Sequence, residues 1–299
     1  MVHHDSVSRK IFNVFNILFF LVIITLCLYP LWYIFVQSLS SGPLAVNAVA
    51  WPINFTLKNY ADIFKSGDVP HAFLISVLRT SIGTACTLLA CMLLGYLFSK
   101  EDMPLRKVMY RILIITMYVS GGLIPTYLVY KAYRLTNSFL VYILPAVVDA
   151  YYVILIKTYV EQLPISVEES AMIDGAGTMC IFLKIILPMS LPIVATIAIY
   201  ASVGQWNSWF DNHIYTRGNE SLTTLQYLLY NYLNEAQRLA DQIKNTTNAA
   251  GMSQLVSNSI SPKGIRMTIT VLASLPIFMV YPFMQKYFVK GIMVGAVKG

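Results

Sequence analysis

The 299-residue chain is 57% hydrophobic and only 12% charged, with a mean hydropathy of +0.63, where a soluble domain carries about a quarter charged residues. Its 21 Lys and Arg against 14 Asp and Glu give a net charge of +7, yet no basic face is dense enough to follow a phosphate backbone, which excludes a nucleic-acid partner. Basic residues at the ends of membrane spans account for the excess.

About 20 mostly apolar residues are needed to cross a hydrocarbon core, and six stretches meet that need. Residues 11–36 are uncharged and follow Arg9 and Lys10. The run is longer than a signal-peptide core and has no convincing cleavage site, so it reads as a retained first helix. An external loop, 37–70, carries the turn-forming Ser40 to Pro43 and the aromatic Trp51, Phe55 and Tyr60. The next spans are expected at 73–99, 109–131 and 137–159, the last interrupted by Asp149. The fifth is expected at 185–210 and the sixth at 266–287. Between those two lies a second external loop, 211–263, with helical spacing of Leu and Tyr from Leu222 to Ile243 and a polar tail from Asn245 to Ser261. Cys27, Cys86, Cys91 and Cys180 have no CxxC spacing and read as packing residues, not a metal site or disulfide framework.

Lys100, Arg106, Lys107 and Arg111 lie between spans two and three, and Lys286, Lys290 and Lys298 follow span six. The opposite short loop holds only Lys131 and Arg134. Positive residues favour the cytoplasmic side, so both termini are expected there. The expected fold is an all-α integral membrane protein of six transmembrane helices in a single domain.

The cytoplasmic loop 163–188 has the strongest local grammar. Ser166 is expected to cap a short helix, with Glu169 completing a capping box. Glu168 and Glu169 fall in its first turn, where the helix dipole favours acids, and Gly175 supplies a left-handed stop. A second amphipathic stretch runs through Ile181, Phe182, Ile185 and Ile186, and Pro188 and Pro192 mark the entry to span five. So short a helix is marginal alone and needs a groove to lie in; an amphipathic loop resting on the membrane surface satisfies the same pattern.

Glu169-Ser170-Ala171, then Gly175, then Ile185-Ile186-Leu187-Pro188 resembles the EAA loop of type I ATP-binding-cassette (ABC) importer permeases, with Ser170 replacing the usual alanine. The stretch Ile173 to Ala176 is similar to the maltose-type carbohydrate branch. Ser120 to Pro125, Gln205 to Phe210 and Tyr281 to Gly291 are similar to the subgroup that imports complex oligosaccharides, including alginate. The resemblance covers nearly the whole chain. It implies a multi-pass permease in the bacterial cytoplasmic membrane that forms half of a carbohydrate pathway and catalyses nothing itself. It also implies a second permease in a heterodimer, two ATPase subunits and an external solute-binding protein. The chain is expected to bind no cofactor, ATP and magnesium residing on the ATPases. The coupling residues would be Glu168, Glu169, Ser170, Ala171, Asp174, Gly175, Phe182, Ile185, Leu187 and Pro188. Of these, Glu169 would engage the ATPase, Ala171 allow the close fit, Gly175 set the bend, Phe182 and Leu187 anchor the loop to the spans, and Asp174 brace it.

For the solute pathway, Asp149 is an acid inside an apolar run and a functional candidate on that ground; an Asp paired with a neighbouring helix is the competing reading. Tyr200, Gln205, Trp206, Asn207 and Trp209 combine aromatic faces with amide donors, which suits sugar rings. An interfacial aromatic belt explains the same residues. A membrane-embedded hydrolase would need a Ser or Asp with a His at span depth, but His3, His4, His71 and His213 lie at or beyond span ends. An ion-coupled carrier would show matched broken repeats, and none is seen. No phosphate-binding GxxxxGK[ST] loop is present, so the ATPase must be a separate chain.

Overall fold

A computed structural model describes residues 7–41, 47–65, 67–245, 264 and 266–279. The expected turn at Ser40 to Pro43 falls partly outside these residues, as do most of the polar tail 245–261, the end of the sixth span and the motif from Tyr281 to Gly291. Among the described residues the secondary structure is helical throughout, without strands. Contacts divide the chain into two units, residues 1–68 with 231–274, and residues 69–230 with 275–299.

In the first unit, α1 (Val7–Ser38) is a single 32-residue helix containing Pro30. It is apolar all round its circumference, and none of its most hydrophobic window is buried. Such a helix is stable only where its surroundings are apolar too. After α1 the chain folds back on itself: Gln37 donates to the Ala48 carbonyl at 2.7 Å and Asn59, on α2 (Lys58–Lys65), to the Ser38 carbonyl at 2.9 Å. In the same unit α12 (Arg266–Met279) begins, and Gly264 lies against Asn59, where an added Cβ would come within 3.0 Å of its amide.

The second unit is built on α3 (Asp68–Ser99), long and apolar enough to cross a membrane. The stretch expected as one third span is two helices, α4 (Arg106–Tyr118) and α5 (Leu123–Ala132), separated at Val119 to Gly122. Gly122 has φ +80°, a conformation open to glycine and costly for other residues. The fourth is also broken: 3-10 turns Phe139–Tyr142 and Leu144–Ala146 precede α6 (Ala150–Val160) with a 44° bend. Breaking a helix frees carbonyls that must be satisfied within the bilayer. Here Gln205 donates to the Tyr142 carbonyl at 3.2 Å and Thr87 to the Ala146 carbonyl at 2.9 Å, with a longer Cys91 thiol contact of 3.7 Å to Val147.

The loop helix is α7 (Ile165–Ile173). It is followed by α8 (Thr178–Met189), which widens into a π turn over Phe182–Ile186. An 80° elbow at Ser190 then leads into α9 (Leu191–Asn207). Span five was expected as one element over 185–210; Pro188 and Pro192, which cannot donate to a helical ladder, flank the elbow that divides it. Beyond come α10 (Phe210–Tyr215), a turn at Glu220–Leu222 and α11 (Leu225–Asn245), the last matching the leucine and tyrosine spacing.

The core of this unit joins Cys91, Met92, Tyr96 and Phe98 of α3 to Val153, Ile156 and Val160 of α6, Ile181, Phe182 and Ile186 of α8, and Ile197 of α9. Gly95 permits the α3–α6 contact: a Cβ there would lie 2.5 Å from Ile156 Cγ2 and 3.2 Å from the Lys157 backbone nitrogen. Overpacking of this kind costs about 1–3 kcal/mol. Gly95→Ala is therefore expected to lower the thermal midpoint of the detergent-solubilised protein, and an unchanged midpoint would show that the two helices separate freely.

Candidate functional site

Two places in the second unit concentrate polar chemistry. One is the loop helix α7. Gly175 (φ +80°) ends it in a Schellman turn: the Ala176 N–H donates to the Ala171 carbonyl at 2.9 Å and the Gly175 N–H to Met172 at 3.0 Å, satisfying carbonyls the helix end would orphan. Asp174 is the C-cap and its side chain is exposed.

The start of α7 differs from expectation. Pro164, with φ −62° and ψ 119°, is the N-cap, and no side chain caps the helix. The Pro164 carbonyl accepts the Val167 N–H at 3.3 Å, and the helix already includes Ile165. Ser166 therefore lies inside the first turn, where its carbonyl accepts the Ser170 hydroxyl at 2.8 Å. The capping box of Ser166 and Glu169 does not form.

The two adjacent acids diverge. Glu168 is buried, accepts the Tyr96 hydroxyl at 3.0 Å and pairs with Lys100 at the end of α3. Lys100 also sits 4.5 Å from the centre of the Tyr96 ring, a cation–π contact. Glu169 is exposed, as are Ile165, Met172 and Ile173, the last 86% exposed. Ala171 packs against the core, as do Ile185 and Leu187, while Phe182 is buried and lies 5.2 Å from the Tyr96 ring. Ser170 and Pro188 are exposed. One face of α7 is thus fastened to α3 and the core, and the other stands free with apolar and acidic groups.

The second place is a cavity of about 330 Å³. Of the six pathway candidates it includes Asp149 and Gln205 alone, and it adds Arg79, Tyr130, Tyr152, Asp211 and Tyr215. Asp149 occupies the break before α6 and caps it, its Oδ1 accepting the N–H groups of Tyr151 at 2.8 Å and Tyr152 at 3.2 Å. Aspartate is among the best N-caps, so the acid that seemed to interrupt a span begins one of its halves. Burial, with Tyr130 and Asp211 adding to it, pushes the Tyr215 phenol up, which keeps it a neutral donor.

The other four candidates do not line this cavity. Trp206 is buried against Phe73. Trp209 is stacked on Tyr230 with centroids 3.9 Å apart. Asn207 accepts from Gln226 at 3.2 Å, and Tyr200 is exposed on α9. Arg79 was missed. It is 3% exposed and donates through Nε to Gln205 at 2.9 Å, through Nη1 to Asp211 and the Ser208 carbonyl, and through Nη2 to Asp211. Its guanidinium also covers the Tyr142 ring at 4.5 Å. An arginine inside a stretch of otherwise apolar residues was the available signal. Gly83 makes room for the arrangement, since a Cβ there would lie 2.8 Å from the Gln205 amide nitrogen.

A 33% identical relative spans 98% of this chain and all of its own length: the polygalacturonan/rhamnogalacturonan transport system permease protein YtcP of Bacillus subtilis. Protein LplC of the same organism is 34% identical over 99% of this chain and 98% of its own. The chain belongs to the family of sugar ABC transporter permeases. No protein-family model matches it. The permease also superposes on a chain from the crystal structure of a bacterial ABC transporter involved in the import of the acidic polysaccharide alginate. That match has a TM-score of 0.80 and 26% identity, over 95% of this permease and 99% of that chain. Its relatives are transport proteins, and the permease is a non-catalytic subunit.

Proposed function

We propose that this permease forms one half of the membrane pathway of an oligosaccharide importer, as a single domain of six spans with both termini in the cytoplasm of a bacterial cell. It works with a second, homologous permease, two ATPase subunits that hold ATP and magnesium, and an external solute-binding protein. The pattern of basic residues and the broken but span-length helical pairs support the topology.

The observation that carries the reading is the two-sided α7. A helix of nine residues with an exposed acidic and apolar face has little reason to persist in water; seated in a groove on an ATPase, that face is covered. Glu169, Ile165, Met172 and Ile173 then meet the ATPase, while Glu168, Ala171 and Phe182 transmit its displacement to α3 and α8. Asp174 and Gly175 set the turn between them.

The test is ATP hydrolysis by the complete complex in lipid, with and without loaded binding protein. Glu169→Lys, which alters only the exposed face, is expected to reduce solute-stimulated hydrolysis about fivefold. Gly175→Ala places a Cβ at φ +80°, at a cost of about 1–2 kcal/mol, and is expected to have a similar effect. Unchanged stimulation in both assembled variants would remove the coupling role from α7.

A further inference from the structure

The charge on the cavity wall bears on which chemical class of sugar it can accept. Among its described lining residues Arg79 is the only basic one, against the acids Asp149 and Asp211. Arg79 is buried, and its donors go to Asp211, Gln205 and the Ser208 carbonyl, so it and Asp211 neutralise one another and offer no free cation. Asp149 remains: only its Oδ1 is used to cap α6, and no basic side chain pairs with it among the described residues. The dipole of α6 offsets part of that charge without cancelling it. The rest of the described wall is uncharged: the phenols of Tyr130, Tyr152 and Tyr215, the polar Thr87, Gln205 and Ser208, and apolar residues such as Val148 and Ala201.

We infer that this chain's wall selects uncharged oligosaccharides and disfavours uronates, with Asp149 as the specificity-determining residue. Phenol hydroxyls and ring faces match the hydroxyl edges and C–H faces of a neutral sugar. A sugar carboxylate brought to the same wall meets a like charge in a poorly screened site and finds no guanidinium or ammonium to pair with. The inference rests on the oligosaccharide-importer reading above.

The complete complex, reconstituted with its binding protein, would be given matched oligosaccharides that differ only at C6, galactose against galacturonate and mannose against mannuronate trimers. The wild type is expected to show at least tenfold greater stimulation of ATP hydrolysis by a neutral trimer than by its uronate. Asp149→Asn, which keeps an N-cap of equal quality, is expected to narrow that ratio to threefold or less. Val148→Arg, adding a cation to the same wall, should narrow it further, and thermal unfolding confirms that both variants fold. Equal or greater stimulation by uronates in the wild type overturns the inference, as does a ratio that neither substitution moves. Silence from every trimer would instead strike at the carbohydrate reading itself and take the inference with it.

Discussion

Replacing Asp211 with alanine is expected to destabilise the protein by about 3–5 kcal/mol, the usual cost of leaving a buried charge without its partner. Arg79 cannot turn to solvent, since it is 3% exposed and held on α3 against the Tyr142 ring, Gln205 and the Ser208 carbonyl at the end of α9. Asp211 also accepts the Ser208 hydroxyl at 3.0 Å and the Asn212 N–H at 2.9 Å, so it fixes the junction between α9 and α10. The loss is measurable as a fall in thermal midpoint of the detergent-solubilised complex and as lost solute uptake. Arg79→Met combined with Asp211→Ala should be milder than Asp211→Ala alone, because no unpaired charge remains. A double variant worse than the single one would show that the two residues act separately.

Reversing the charge at Glu168 should be the most damaging change in the loop that leaves the spans intact. Glu168→Lys sets two ammonium groups together where Glu168 and Lys100 now pair beneath Tyr96. Solute-stimulated ATP hydrolysis is expected to fall about a hundredfold, or about 3 kcal/mol at about 1.4 kcal/mol per tenfold. Binding-protein-independent hydrolysis should fall less. The exchange Glu168→Lys with Lys100→Glu restores opposite charges and should recover at least tenfold, while Tyr96→Phe alone should cost only a fewfold. If the exchange recovers nothing, the pair does not transmit movement between α7 and α3.

The parts of this design that were legible in the sequence are those where backbone chemistry dictates the outcome. Gly175 ends α7 in the left-handed conformation because a Schellman turn requires it. The spacing of Leu and Tyr marked α11, whose amphipathic period is strong. Uniformly apolar stretches hid their breaks instead. Hydropathy records length, and a helix greasy on every side carries no periodic signal of where it bends. The 44° and 80° bends arise from Asp149 as a cap and from the prolines about Ser190, features that also fit an unbroken span. The aromatic candidates are ambiguous for a related reason: Trp206 and Trp209 are as well suited to packing as to sugars, and in the structure they lie against Phe73 and Tyr230. Arg79 escaped notice because its partner Asp211 sits 132 positions away.

The elbow at Ser190 has a bearing on the lipid around the protein. With α9 set along the membrane normal, α8, which turns 80° away from it, would add almost nothing to membrane depth. The 17 residues of α9 then supply about 25 Å at 1.5 Å per residue, some 5 Å short of a typical hydrocarbon core of about 30 Å. A short segment at one sector of the protein draws the neighbouring acyl chains inward. Uptake reconstituted in bilayers of graded chain length should therefore peak in thinner membranes than length-matched spans would favour, and long-chain lipids should press on the junction between α8 and α9.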